Sequence, residues 1–206
     1  MRVILSGADG SGKTTVARLL ASYLSSRGST NIHWFRGTHL LASVLARVFS
    51  RFKVFYGSCN PYYRVCVPDG LKPLWVHVEF WSLLLHAFAR SLLRRLYSFL
   101  ICDRGFLDFI VWVTVTLNHT AFLRSIYGRF LLRLALSERP IYLYADLDVL
   151  ARRADVPREF ISGELAVYNV LARYVSPCSI DTSNKGPLEV LGDALRCLAA
   201  RSHLSR

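Results

Sequence analysis

The stretch GADGSGKT, from Gly7 to Thr14, limits the folds open to this chain more than any other. It fits the pattern G-x-x-x-x-G-K-[ST], and it sits between an apolar run, Val3 to Ser6, and a segment whose apolar residues Val16, Leu19, Leu20, Tyr23 and Leu24 recur on one helix face. A glycine-rich turn between a buried strand and a helix exposes successive backbone N–H groups, and the helix N-terminus behind it adds partial positive charge. Phosphate is the ligand such a turn fits. Gly7, Ala8, Asp9, Gly10, Ser11, Gly12, Lys13, Thr14 and Thr15 are therefore the candidate nucleotide-binding residues. Lys13 is expected to bridge the β- and γ-phosphates of ATP, and the Thr14 hydroxyl to ligate Mg²⁺.

The rest of the chain alternates strand and helix. Asn31 to Arg36 reads as a second strand, followed by helix from His39 to Phe52. Lys53 to Pro73 is an irregular excursion, rich in Gly, Pro and Tyr and long enough to need a reason. A long helix from about Leu74 leads to the strand YSFLICD, which ends at Asp103. Helices are expected over Phe106 to Leu117 and Ala121 to Leu136, with strand as the alternative for the β-branched run Ile110 to Leu117. Strands at Pro140 to Ala145 and Cys178 to Thr182 and helices at Leu147 to Ala154, Glu164 to Tyr174 and from Pro187 complete the chain. The expectation is one α/β domain over residues 1–206, a three-layer sandwich of the P-loop NTPase class with about five parallel strands and helices on both faces. In such sheets ligands sit at the carboxyl ends of the strands, which here carry Gly7, Arg36, Asp103, Asp146 and Asp181.

Composition narrows the partners without choosing among them. Lys and Arg number 26 against 14 Asp and Glu, a formal charge of +12 that attracts phosphate-bearing molecules of any kind. The richest apolar stretch, Leu74 to Leu100, is broken by His77, Glu79, His86, Arg90, Arg94 and Arg95, so no membrane span is expected. The N-terminal apolar stretch is only Val3 to Leu5, and a cytoplasmic protein is expected. Five cysteines without a C-x-x-C pair read as reduced, mostly buried thiols. A homodimer is one way to bury the apolar excess of Trp75 to Phe88.

Asp103 ends an apolar strand, where a carboxylate can serve a magnesium site or cap the next helix, and Arg104 follows it as either a phosphate contact or an ion-pair partner. The ordered set GADGSGKTT, FRGT and ICDRG resembles the thymidylate kinase group of P-loop nucleoside monophosphate kinases, and the similarity continues in YLYADLDVLARRAD, ELAVYNVLARY and IDTSN. The resemblance implies ATP- and Mg²⁺-dependent transfer of a phosphoryl group to a phosphate-bearing small-molecule acceptor. It implies that Asp9 meets the acceptor's sugar hydroxyl, that Arg36 holds its phosphate with help from Arg104, and that Asp103 joins Thr14 at the metal. Arg152, Arg153 and Arg158 would lie in or beside a short lid near residues 152–163, and Thr182 to Lys185 near adenine. Against the family's pattern of Glu-Pro-Gly-Gly-Thr after the second-strand arginine, this chain has only Gly37 and Thr38 before His39, and Gly105 and Phe106 stand where tyrosine follows the Asp-Arg pair. The arginine expected on the long helix has only Arg90 as a loose counterpart, with Glu79 facing the same cleft. These departures fall on the acceptor side. A nucleoside or a polynucleotide end is the alternative acceptor, suggested also by Tyr56, Tyr62, Tyr63 and Arg64. A nucleotide-binding interaction module without efficient transfer is a third reading.

Overall fold

A computed structural model describes residues 1–35 and 40–203, with side chains described to residue 200. Strands β1 (Arg2–Ser6), β2 (Thr30–Trp34), β3 (Tyr56–Asn60), β4 (Phe99–Asp103), β5 (Ile141–Tyr144) and β6 (Cys178–Asp181) alternate with helices. The helices are α1 (Lys13–Ser25), α2 (Leu41–Phe49), α3 (Lys72–Leu96), α4 (Phe106–Thr116), α5 (Ile126–Glu138), α6 (Leu147–Arg153), α7 (Arg158–Val175) and α8 (Pro187–His203). Five strands form one parallel sheet in the order β2-β4-β1-β5-β6, so the expected three-layer α/β fold is the observed one. β3 lies outside this sheet, within the irregular excursion, where its ends bridge Val65.

The period of two along the strands sorts side chains to the two faces. Val3 and Leu5 of β1 pack with Val16, Leu20 and Leu24 of α1 and with Val190 and Ala194 of α8. Ile4 points the other way, to Leu100, Cys102 and Leu93. The larger core, beyond that second face, joins α3, α4, α5 and α7 through Phe80, Leu107, Ile110, Leu131, Ile161 and Tyr168. β1 and β4 are in register with Leu5 opposite Asp103, which sets the end of β4 beside the glycine-rich turn after β1.

The β-branched segment after Asp103 is helical. Phe106 to Thr114 is buried at every position, and a helix apolar on all sides is stable when neighbours cover all of it. Asp108 takes the Gly105 N–H at 2.8 Å, satisfying a donor at the helix start. Arg104, just before this turn, adopts φ 82°, a left-handed conformation uncommon outside glycine.

Two expectations are corrected. The five cysteines are not all thiols: Cys59 is bonded to Cys66, with Cα atoms 4.9 Å apart, and Cys178 to Cys197, with Cα atoms 6.1 Å apart. The first pair is brought together by the turn after β3, the second by α8 packing beside β6; Cys102 remains a buried thiol. Arg90 does not face a cleft. Its guanidinium lies 2.5 Å from Glu138, both buried, and sits 4.3 Å over the ring of Phe35 and 4.6 Å over that of Phe106. Glu79 is buried too and accepts the Trp75 indole N–H at 3.2 Å. No helix among the described residues is long and apolar enough to cross a membrane.

Glu138 also accepts the Phe106 N–H at 2.8 Å, so it ties α3 and α5 to the start of α4. A Cβ on Gly105 would come within 2.5 Å of its Oε2 and 2.7 Å of Ile4, which leaves room there only for glycine. Glu138→Gln strands the Arg90 charge in the core, and a loss of about 3–5 kcal/mol is expected. Urea unfolding would read it as a lower midpoint at unchanged slope.

Candidate active site

The turn from Gly7 to Thr14 wraps the space above the carboxyl ends of β1 and β4. Gly10 has φ 84°, and a Cβ there would meet the Leu150 carbonyl oxygen at 2.7 Å, so both backbone shape and packing call for glycine. Lys13, the first residue of α1, is buried and donates to the Ala8 carbonyl at 2.7 Å and to the Ser11 hydroxyl at 3.3 Å. Burial and then the nearby Arg104 lower its pKa, while Asp9, Asp108 and Glu164 pull it back up.

Asp103 comes to the same place from β4. Its Oδ2 accepts the Thr14 hydroxyl at 2.5 Å, and its buried Oδ1 has no hydrogen-bond partner among the described residues. An uncommitted carboxylate oxygen beside a hydroxyl is a hard oxygen donor set, and it fits Mg²⁺. No group of three His, Cys, Asp or Glu that could hold a metal occurs among the described residues. One carboxylate and one hydroxyl suit a cation whose other ligands are nucleotide phosphates and water.

On the other side of the turn, Asp9 is held through both its carboxylate and its backbone. Its two carboxylate oxygens take Arg104 and the Tyr62 hydroxyl, and its backbone N–H donates to Glu164 at 2.9 Å. Burial works against the Arg104 charge, but the carboxylates of Asp9, Asp108 and Glu164 outweigh it and hold the guanidinium above its ordinary pKa. Glu164 is pushed up to about 7 by burial and by Asp9.

Two cavities meet at the turn. One, of about 390 Å³, is lined by Asp9, Gly10, Gly12, Lys13, Thr14, Thr15, Arg104 and Arg153 and is strongly cationic. The second, of about 220 Å³, lies beyond Arg153 between Gly10, Thr15, Val16, Thr182, Lys185, Pro187 and Val190 and is mostly apolar. Arg153 borders both, its guanidinium held by the carbonyls of Thr182 at 3.1 Å and Ser183 at 3.2 Å.

Lys13, Thr14, Asp9, Asp103, Arg104 and Arg153 thus come together, with Gly10, Gly12 and Thr15 also at the cavity walls. Arg158 does not join them. It opens α7 on the surface, 2.5 Å from Asp148, and lines neither cavity; the segment between α6 and α7 is only four residues long. Arg36 lies outside the described residues.

Two residues of the site escaped sequence reasoning. Asp108 accepts from Ser6 Oγ at 2.6 Å, Gly7 N at 3.1 Å, Gly105 N at 2.8 Å and Tyr168 Oη at 2.7 Å. Its local signal was an acidic residue three positions after Gly105, at the start of a helix. Glu164 carried no comparable mark.

No protein-family model matches the chain, and no curated protein matches its sequence. Solved structures do. A thymidylate kinase from Candida albicans superposes with a TM-score of 0.61 at 15% identity, covering 98% of this chain and 92% of that one. A thymidylate kinase from Ehrlichia chaffeensis gives 0.50 at 17% identity, covering 97% of each chain. A shikimate kinase from Acinetobacter baumannii gives 0.49 at 15% identity, covering 97% of this chain and 93% of its own. The fold of this chain is the α/β fold of the thymidylate kinases.

The ordinary pKa of a glutamate, 4.5, lies below the folded value of Glu164. The folded protein therefore keeps a proton that the unfolded chain releases. The stability this contributes is full below 4.5 and is lost as pH rises through about 7. Glu164→Gln cannot ionise, so between about pH 5 and 8 its urea midpoint is expected to fall less than that of the wild type. Parallel profiles would mean that Glu164 ionises as readily folded as unfolded.

Proposed function

We propose that the chain is a P-loop kinase that moves the γ-phosphoryl group of ATP to a phosphate-bearing small acceptor, a nucleoside monophosphate in the first instance. The observation that carries this reading is the meeting of two cavities at one turn, an apolar one behind Arg153 and a cationic one holding Lys13 and Arg104.

On this reading adenine enters the apolar cavity, against Val16, Pro187 and Val190, and the phosphates run along the turn toward Lys13. Lys13 exchanges Ala8 and Ser11 for phosphate oxygens. Thr14 and Asp103 hold Mg²⁺, which when bound neutralises charge on the phosphates. Arg153, kept in place by two carbonyls, lies where charge spreads during transfer, and Arg104 faces the acceptor's phosphate. We assign Arg36 to the same phosphate and Asp9 to an acceptor hydroxyl. Arg158, committed to Asp148 at the surface, has no part in the transfer as we draw it.

One observation favours widening the acceptor class. Arg90, the counterpart of the arginine expected on the long helix, is committed to Glu138 in the core. The acceptor is therefore held by a different set of residues, and a nucleoside or the end of a polynucleotide is the second candidate.

We also propose that a second copy covers the outer face of α3. Trp81, Leu85 and Phe88 are 61%, 61% and 73% exposed at helical spacing, a large apolar stripe for a lone chain. Light scattering after size-exclusion chromatography should give twice the chain mass, reduced to one chain by Phe88→Asp. A monomeric wild type would refute the dimer.

The activity is tested with γ-labelled ATP and Mg²⁺ against nucleoside monophosphates, nucleosides and oligonucleotides with free 5′ hydroxyls. Label is expected on at least one monophosphate, and Lys13→Ala should lower the rate about 10²–10³-fold. Label on nucleosides or oligonucleotides alone would move the function to the second candidate, and ATP binding without transfer to any acceptor would leave an interaction module.

A further inference from the structure

The segment between α2 and α3 reaches across the molecule to the glycine-rich turn, where the Tyr62 hydroxyl donates to the Asp9 carboxylate. We propose that Tyr62 is a positioning residue for Asp9, fixing the carboxylate through which the turn meets the acceptor; this rests on the kinase reading above.

The contact is built rather than incidental. The turn bearing Tyr62 is organised by Asn60, a buried residue whose side-chain oxygen accepts the N–H groups of Tyr62 at 3.1 Å and Tyr63 at 3.3 Å. The Asn60 carbonyl takes the Arg64 N–H at 2.9 Å, and the Cys59–Cys66 bond closes the turn across its base. The ring of Tyr62 lies 5.8 Å from that of Trp112, itself packed 5.9 Å from Phe160. Side-chain hydrogen bonds, a covalent closure and a ring contact thus aim one hydroxyl at one carboxylate oxygen.

The division of that carboxylate matters for charge. Arg104 bonds Oδ1 of Asp9 and Tyr62 bonds Oδ2. Without the hydroxyl, both oxygens can turn to the guanidinium, whose fork suits a two-point grip on a carboxylate. Such a grip would draw Arg104 donors away from the cationic cavity they line. Tyr62 holds Asp9 in a one-point contact with Arg104, so the guanidinium keeps donors for an acceptor phosphate and Asp9 keeps its orientation toward an acceptor hydroxyl.

Tyr62→Phe removes the hydroxyl and keeps the ring on Trp112. The acceptor KM is expected to rise about 10-fold, the loss of a hydrogen bond to a charged group, with the ATP KM unchanged. Opening the turn by Cys59→Ser with Cys66→Ser should raise the acceptor KM in the same direction, and combining it with Tyr62→Phe should add little. An acceptor KM equal to the wild type's in Tyr62→Phe, or an equal rise in both substrates' KM, would overturn the proposal. A wild type that transfers to no acceptor brings down the kinase reading instead. Amide exchange over residues 56–66 then still decides the contact: it is faster in Tyr62→Phe if the hydroxyl holds the excursion on Asp9, and equal to the wild type if it does not.

Discussion

Most of the site hangs on the carboxylate of Asp108. Four donors converge on it from the end of β1, the first residue of the glycine-rich turn, the turn before α4, and α7. A buried carboxylate is costly unless its lone pairs are filled, and four bonds fill them. Those same bonds determine where β1 stops, where α4 starts and how α7 approaches. The charge is useful as well, since it lies behind the turn and supports the cationic forms of Lys13 and Arg104 in a site where burial opposes them.

The site balances charge in two half-circles. Asp103 and Thr14 form the acidic side, where one buried carboxylate oxygen has no hydrogen-bond partner among the described residues; Lys13, Arg104 and Arg153 form the basic side, around a cavity of about 390 Å³. Asp9 and Glu164 stand between them, and burial, with the Asp9 charge added to it, keeps Glu164 easy to protonate. The charges of Asp9 and Asp108 are what support Lys13 and Arg104 side by side in this small space.

Much of the frame was legible in the sequence because its signals are local. The turn from Gly7 to Thr14, the strands on either side of α1 and the Asp103–Arg104 pair each announce themselves within a few residues. The helix α4 was ambiguous for a physical reason: total burial erases the polar face that would show a helical period. Asp108 and Glu164 were missed because their partners are far along the chain, and a helix-start aspartate looks the same whether it serves one N–H or four donors. Arg90 was misplaced because a basic residue on a helix carries no mark of the carboxylate it will find. The cysteine pairs were invisible because seven- and nineteen-residue separations imply nothing until the turn and the last helix are placed.

Arg104 sits in a left-handed backbone conformation at the point where β4 turns into α4. Strain of that kind costs of order 1–3 kcal/mol, and glycine is the residue that would relieve it. Glycine would also delete the cation that answers Asp9. Stability and chemistry therefore pull this one position in opposite directions, and a search for hardier variants that scored folding alone would be drawn to it first and would discard the site's own charge.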